Sequence, residues 1–375
     1  MTMHLNGLSL FTGAGGMDVG FENAGIKVVL ANEINKDACS TYLTNHPNTE
    51  LLQADIHHIA DRLDDLRGEI DVVFGGPPCQ GFSVAGKMDP LDERNDLIWK
   101  FADSVETVKP RAFVMENVKA LGKLAKWKNV RDEFIIRMSR NGYNVKKIIV
   151  NSSDFGVPQN RERVIFVGMR NDTGTDMFGF ENALLRHRKK PPTVREILSN
   201  LPKAGTEGNV LTCASKVTLA ANPILRRSPY AGMYFNGLGR AINLDGVANT
   251  LPASMGGNKT PIIDQECLER PNVRNWSEEY HAGLMDKTIS PKFGNAPERL
   301  RRLTITEAAA LQTFPSDYVF KGSKSSIYTQ IGNAVPCLLA EAVAKTVVSF
   351  LGRTRGHEYI VPGTLESYAT EPIEQ

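Results

Sequence analysis

The chain has 375 residues, 41% of them apolar, enough for one large domain plus a smaller one around a sizeable core. Lys and Arg number 44 against 42 Asp and Glu, a formal charge of +2, so the total charge singles out no partner. Five widely spaced cysteines (Cys39, Cys79, Cys213, Cys267, Cys337), with no Cys-x-x-Cys pair or Cys/His cluster, argue against a disulfide framework and a metal site and fit a reducing cytoplasm. The opening "MTMHLNGLSLF" lacks a signal-peptide plan. No apolar run approaches the roughly 18 residues of a membrane span. The expectation is a cytoplasmic protein with no membrane segment.

In chain order, the first 170 or so residues alternate short apolar runs with stretches of helical period. The runs "LSLFTG", "KVVLANE", "ELLQAD", "DVVFGG", "RAFVMEN", "VKKIIVN" and "RVIFVGM" predict strands. "DACSTYLTNH" and "DLIWKFADSVETVK" predict helices between them. Such alternation predicts an α/β fold, a doubly wound, mostly parallel sheet. After Met169 the periodicity weakens and Gly, Pro, Asn and Arg become common, which predicts a second, smaller domain joined through "RHRKKPPT". Helical pattern returns at "TITEAAALQTF" and "PCLLAEAVAKTVVSFL". The expected division is a main domain of residues 1–190 plus 325–352, a second domain of 191–324 and a polar tail of 353–375. Between Leu185 and Arg240 ten basic residues face two acids, a local charge of +8. A basic segment on a mildly acidic body is what a polyanion-binding surface requires; an ordinary solvated face is the competing reading.

In open α/β sheets ligands lie beyond the carboxyl ends of the strands. After the first strand, "LFTGAGGMDVGFENAG" offers Gly13, Gly15 and Gly16 for a tight turn and close backbone approach. Glu33 follows Gly13 by 20 residues, at the end of the second strand, where a carboxylate can accept ribose hydroxyls. Asp18 occupies the place of the third glycine in the dinucleotide fingerprint, so a nucleoside cofactor without a pyrophosphate fits better than NAD. Asp55, ending the third strand, could hold an adenine amino group. A glycine turn with no ligand is the alternative.

The fourth strand runs into "GGPPCQGFS". Two prolines stiffen the loop just before Cys79, at the crevice. A free thiol is only a few per cent thiolate at neutral pH, so a reacting cysteine needs cations, donors or a base beside it. "VMENV" places Glu116 and Asn117 just after the fifth strand, and "VPQNRERVIF" places Gln159, Arg161 and Arg163 before or within the seventh. Alternation would put both arginines on one face. Each residue alone has a structural reading, Cys79 as a buried thiol, Glu116 as a helix-start acid and the arginines as surface salt-bridge partners.

Together these residues give the chain its resemblance. From about Leu8 to Phe350 it resembles the cytosine-C5 DNA methyltransferases of the bacterial type, which use S-adenosylmethionine. The motifs are "LFTGAGGMDVGFENAG", "NEIN", "ADI", "GGPPCQGFS", "RNDLIWKF", "MENV", "QNRERVIFVG", "RRLTITEAAALQTFP" and "YTQIGNAVP", in the family's order and spacing.

The resemblance implies a Rossmann-like fold and a covalent mechanism. Cys79 would add to C6 of a cytosine rotated out of duplex DNA. Glu116 would hold N3 and the 4-amino group, Arg163 would contact O2, and Arg161 would support the same face. It implies that Phe11, Gly13, Gly15, Gly16, Glu33, Ile34, Asp55, Ile56, Pro78, Leu97 and Asn333 line the cofactor site, with S-adenosylhomocysteine as product. Asn333 would return from the C-terminus to close it. Gln80 and Ser83 would touch DNA, and the loop 80–95 would close over it. "YFNGLGRAI" and "ANTLPASMGGNKTPI" look like recognition loops, with Arg240, Asn258 and Lys259 as donors and Thr250 on the phosphate of the rotated nucleotide. A cognate restriction endonuclease and a monomeric state are the family's habit. The rival readings are a tRNA cytosine-C5 methyltransferase on the same scaffold, a catalytically inactive DNA-binding homologue and an NAD-type oxidoreductase; Asp18 and the setting of Cys79 count against the last.

Overall fold

The computed structural model describes residues 5–78 and 96–353. Cys79, Gln80, Ser83, the rest of the expected closing loop and the expected tail beyond Arg353 lie outside the described residues. The strands of the first half are β1 (Leu5–Leu10), β2 (Ile26–Glu33), β3 (Glu50–Gln53), β4 (Val72–Gly75), β5 (Ala112–Val118), β6 (Tyr143–Asn151), the short β7 (Gln159–Asn160) and β8 (Glu162–Arg170). The helices are α1 (Gly16–Asn23), α2 (Lys36–Asn45), α3 (Ala60–Asp64), α4 (Asp96–Val108), α5 (Lys119–Lys123), α6 (Lys128–Arg140) and α7 (Phe180–Leu185).

Each of the seven predicted runs supplies a strand of one sheet, ordered β3-β2-β1-β4-β5-β8-β6. The first five are parallel, and β8 lies antiparallel between β5 and β6. The central runs β4, β5 and β8 are nearly continuously apolar because both sheet faces are covered there, while the edge strands β3 and β6 carry exposed polar residues. Side chains alternate between two cores. Val72, Phe74, Val114, Ile165 and Val167 face one of them. Val73, Phe113, Met115, Val164 and Phe166 face the other, with Phe101 of α4 and Phe134 of α6. The strand order reverses between β1 and β4, and the crevice at that switch point is where such sheets hold ligands.

The second half is assembled from shorter pieces. They are α8 (Val194–Ser199), β9 (Thr218–Ile224), β10 (Met233–Phe235), β11 (Ala248–Asn249), β12 (Ile262–Asp264), α9 (Gln265–Glu269), α10 (Trp276–Met285), β13 (Gly294–Asn295), β14 (Leu300–Arg302), α11 (Ile305–Leu311), α12 (Lys324–Asn333) and α13 (Cys337–Arg353). They make a three-stranded sheet, β10-β9-β13, and the pair β12–β14; Ile262 and Leu300 of the pair pack with Leu219 and Phe235 of the sheet, while Ile263 faces a second cluster. The weak periodicity after Met169 reflects this, since the strands beyond residue 190 other than β9 run two or three residues and show no alternation to read. α11 starts where a capping box predicts, with Thr304 Oγ1 accepting from Glu307 N and Glu307 Oε2 accepting from Thr304 N.

The chain then returns to the sheet. α13 packs across α1, where a Cβ on Gly20 would lie 2.6 Å from the Cys337 carbonyl. Residues 318–321 reach α1 and α2: Tyr318 donates to the Ala14 carbonyl, and Asn45 exchanges hydrogen bonds of 2.9 Å with the Val319 backbone. The stretch Lys324–Gly352 is apolar enough by composition to cross a membrane, with mean hydropathy 1.7. Here it is two helices broken before Cys337, and α13 supplies a buried face of the core.

Candidate active site

The glycine turn after β1 serves several purposes. Phe11 and Gly13 both take left-handed backbone, with φ of 54° and 58°. A Cβ on Gly13 would meet nothing within 4 Å among the described residues, so the turn leaves space there. Gly15 and Gly16 differ. A Cβ on Gly15 would lie 2.5 Å from His46 Nε2, and one on Gly16 would lie 2.8 Å from the Val335 carbonyl. Their backbones approach the protein's own C-terminal segment and α2, so close approach to a ligand is not what requires glycine at these two positions. Asp18 is buried beneath the turn, accepting from Thr12 Oγ1 at 2.5 Å and from Tyr42 Oη at 2.9 Å. Burial pushes its carboxyl above the usual range despite the opposing effect of His46 and these donors. His46 lies between Glu22 and Tyr318, 3.0 Å from each, stacked on Tyr42.

Glu33 stands at the end of β2 with its carboxylate across the crevice. Oε2 accepts from Gly13 N at 2.8 Å, and Oε1 accepts from Ile34 N at 3.0 Å and Asn35 N at 2.8 Å. A carboxylate has about four lone-pair sites, so it braces the turn and keeps an acceptor position free. Beyond β3, Asp55 accepts from His57 N at 3.0 Å and lies 2.6 Å from His57 Nδ1, while His57 Nε2 is 3.0 Å from Asp96. The Asp96 and Asp55 carboxylates raise the His57 pKa. His57 thus ties the end of β3 to the start of α4. Ile56 is buried, Leu97 is half-buried against the α4 face, and Pro78 and Asn333 are exposed. Ile34 is 63% exposed, a bare apolar side chain at the crevice rim.

The reactive edge is built from β4, β5 and β8. Gly75 approaches β1 so closely that a Cβ would lie 2.1 Å from the Leu10 carbonyl. Asn117 Nδ2 donates to the Pro77 carbonyl at 3.1 Å, fixing the loop that leads into Cys79. Glu116 and Asn117 lie within β5, so the strand runs further than "VMENV" suggests. Glu116 is 7% exposed. Its Oε1 lies 2.7 Å from Arg163 Nε in an ion pair that lacks hydrogen-bond alignment, and Oε2 faces Gly76. Arg163 also donates to the Glu162 carbonyl at 2.8 Å. A carboxylate and a guanidinium therefore meet beside a stiffened loop, at the carboxyl end of the sheet.

Arg161 departs from expectation. It precedes β8, is 3% exposed, and donates to the carbonyls of Gly332 at 3.0 Å and Asn333 at 3.3 Å. Strand alternation did not carry through the break between β7 and β8. The unsatisfied carbonyls at the end of α12 attract the cation instead. Arg161 anchors the returning segment, while Arg163 alone of the two meets Glu116.

The second half joins this edge through β7 and β11, which pair in parallel. Gln159, buried, accepts from Leu251 N at 3.0 Å, and Thr250 Oγ1 donates to the Asn160 carbonyl at 2.7 Å. Arg240, Asn258 and Lys259 are exposed on loops 236–240 and 256–260. The positive window is less free than its count suggests. Arg188 pairs with Asp154, Arg195 with Asp245 and Lys203 with Glu269, all partners outside that window. Sequence reasoning missed Thr12, His46 and His57 as parts of the frame, and named Gln159 without its bond to Leu251. For His57 a signal existed, because an Asp two residues before a His is a local capping pattern.

Comparison with known proteins agrees with this architecture. The C-5 cytosine-specific DNA methylase family matches residues 5–349. The Type II methyltransferase M1.HphI of Haemophilus parahaemolyticus is 35% identical over 356 residues, covering 92% of this chain and 87% of that protein. M.NgoPII of Neisseria gonorrhoeae, also a Type II methyltransferase, is 30% identical over 92% of this chain and 96% of its own. The fold is shared with the S. pombe Dnmt2 methyltransferase, at a TM-score of 0.63 and 17% identity over 94% of this chain and all of that one. The chain belongs to the C-5 cytosine-specific DNA methylases and is a DNA (cytosine-5-)-methyltransferase.

Proposed function

We propose that the protein methylates C5 of a cytosine rotated out of a specific duplex sequence, with S-adenosylmethionine as methyl donor and Cys79 as a transient nucleophile. The observation that carries this reading is the Glu116–Arg163 pair on the β5–β8 edge, beside the Gly76-Pro77-Pro78 loop that leads into Cys79. The crevice suits a nucleoside: open space at Gly13, a spare acceptor position on Glu33 and the carboxylate of Asp55. Phe11, Ile34, Ile56, Pro78, Leu97 and Asn333 complete the proposed lining. The bound donor supplies an electrophilic methyl group.

The chain's own residues do the rest. Cytosine C5 is a poor nucleophile. The Cys79 thiolate forms a bond to C6, and the electron pair displaced from the C5–C6 double bond makes C5 nucleophilic. Glu116 holds the proton at N3 that accompanies this shift, and Arg163 fixes the carboxylate and faces O2. C5 takes the methyl group, a base removes the C5 proton, and the electrons left behind restore the ring as the sulfur–C6 bond breaks. Rotating the base out costs a few kcal/mol, offset by phosphate and groove contacts. Those contacts fall to Gln80, Ser83, Thr250, Arg240, Asn258 and Lys259 on the catalytic loop and the 191–324 region. We place the catalytic unit at 1–190 plus 325–352 and take the protein to be a monomer. A restriction endonuclease for the same site is the proposed partner, since the relatives are named Type II methyltransferases.

Tritiated-methyl transfer tests this. Label should enter duplex DNA and be recovered as 5-methylcytosine at one sequence context. Transfer to tRNA in preference to duplex DNA, or recovery as another methylated base, would overturn it.

A further inference from the structure

Arg302 lies beneath the two glycine-rich loops of the second half. It ends β14, is 4% exposed, and no carboxylate of the described residues pairs with it. Its neighbour Arg301, on the opposite strand face, pairs with Glu307 at 2.6 Å. The Arg302 guanidinium is instead surrounded by main-chain carbonyls. Nη1 donates to Asn258 O at 3.0 Å and Thr260 O at 2.8 Å, Nη2 to Lys216 O at 3.3 Å, and Nε to Ser215 O at 3.4 Å. Loop 236–240 closes onto the same point. Gly239 N donates to Asn258 O at 3.1 Å, and a Cβ on Gly239 would lie 2.3 Å from Arg302 Nη1. Gly237, at φ 83°, is pressed against Asn258 in the same way.

Burying a charged group without an opposite charge is expensive, and the four carbonyls, two from loop 256–260 and two from residues 215–216, offset that cost only while those segments hold their positions. Loop 236–240 supplies no carbonyl but is seated on this assembly through Gly239, whose N–H donates to Asn258 O and whose Cα leaves no room for a methyl beside Nη1. The cation therefore fixes the loop that carries Asn258 and Lys259 directly, and through Gly239 the spacing to the loop that carries Arg240. We infer that Arg302 is a positioning residue for sequence reading: the choice of DNA word depends on a side chain that is buried beneath both reading loops and touches no base. This rests on the proposed role of those loops.

The test uses the full chain and a pool of duplexes randomised around the methylated site, read by bisulfite sequencing. Arg302→Lys keeps the charge but not the planar fork of donors. Gly239→Ala keeps Arg302 and pushes the loop away from it; Gly239 has φ −63°, which alanine adopts freely, so only the close approach is disturbed. The expected result for either folded variant is a fall of about tenfold or more in preference for the native word over single-base variants. KM for S-adenosylmethionine should stay within about twofold and kcat on saturating native duplex within about threefold of the parent, changes worth under about 1 kcal/mol. Arg240→Ala and Lys259→Ala are run alongside. If these shift base preference while Arg302→Lys and Gly239→Ala do not, the inference fails and the loop assignment stands. If none of the four shifts it, the loop assignment fails as well. A loss of activity equal on every sequence in the two positioning variants would mark Arg302 as a structural support only and overturn the inference.

Discussion

The two halves of this molecule place their functional groups by different means. In the sheet, Gly13, Glu33, Asp55, Pro77 and Glu116 are all delivered by strand ends, and strand register sets their relative positions. In the region beyond residue 190, where every described strand but β9 runs two or three residues, the strands cannot do this. There, arginines bind main-chain carbonyls across long sequence separations: Arg195 reaches Cys267 and Leu268, Arg299 reaches Arg274, and Arg302 gathers four carbonyls from residues 215–216 and 258–260. Strand ends resist change because moving one means moving a sheet buried on both faces. Side-chain clamps can be exchanged one residue at a time. A protein that must keep one chemistry while varying the sequence it reads gains from that separation.

Substitutions in the two halves should differ in size of effect if this division holds. The largest effect is expected at the strand end that carries Glu116. Glu116→Gln keeps the shape and loses the charge and the proton-holding capacity, so kcat should fall about 10²- to 10³-fold with little change in DNA affinity. Single-turnover kinetics with a separate binding titration would check it, and an equal loss in both would argue for a structural role. Glycine substitutions come next, because the sheet half uses glycine in two ways. Gly20→Ala forces a methyl against α13, at 2.6 Å from the Cys337 carbonyl, and should cost about 1–3 kcal/mol of stability. Gly13→Ala meets open space and pays only for its left-handed backbone, about 1 kcal/mol. Denaturant titration distinguishes them; equal losses would remove the distinction drawn between packing and conformational glycines.

The smallest effect concerns Asp18. Its folded-state pKa is raised by burial, so the folded protein holds the proton more tightly than the unfolded chain. The stability linked to that proton is fully present below the unfolded pKa of about 3.9 and is lost as pH rises through the raised value. Asp18→Asn removes the titration; its amide oxygen accepts from one of the Thr12 and Tyr42 hydroxyls, and its amide nitrogen donates to the other, which turns to accept. The melting temperature of the variant relative to the parent should therefore climb as pH rises from about 4 toward neutrality. A constant difference across that range would contradict the assignment.

Much of this was legible in the sequence, for a definite reason. The central strands, buried on both faces, are nearly continuous apolar runs, and the more exposed β3 and β6 still hold short apolar stretches, so all seven strands of the main sheet could be read, and with them the carboxyl-end positions of Glu33 and Glu116. Direction at a break was not legible. Arg161 and Arg163 alternate in sequence, but Arg161 stands outside the ladder and turns to the end of α12. Nor could the partners of Gly15 and Gly16 be anticipated, because they come from Tyr318 and Val335, some 300 residues away. Net charge misled in the same way, since three cations of the basic window are paired with acids beyond it. Local pattern carries strand identity; it does not carry the long-range partner of a side chain.

The central claim is a covalent bond between Cys79 and the target base. A duplex carrying 5-fluorocytosine at the methylated position tests it most directly, because fluorine at C5 blocks the final elimination. With S-adenosylmethionine present, the parent protein should form a complex that survives denaturing electrophoresis, with mass spectrometry locating the adduct on Cys79, and Cys79→Ser should form none. A trapped adduct on another residue, or full methyl transfer by folded Cys79→Ser, would contradict the account.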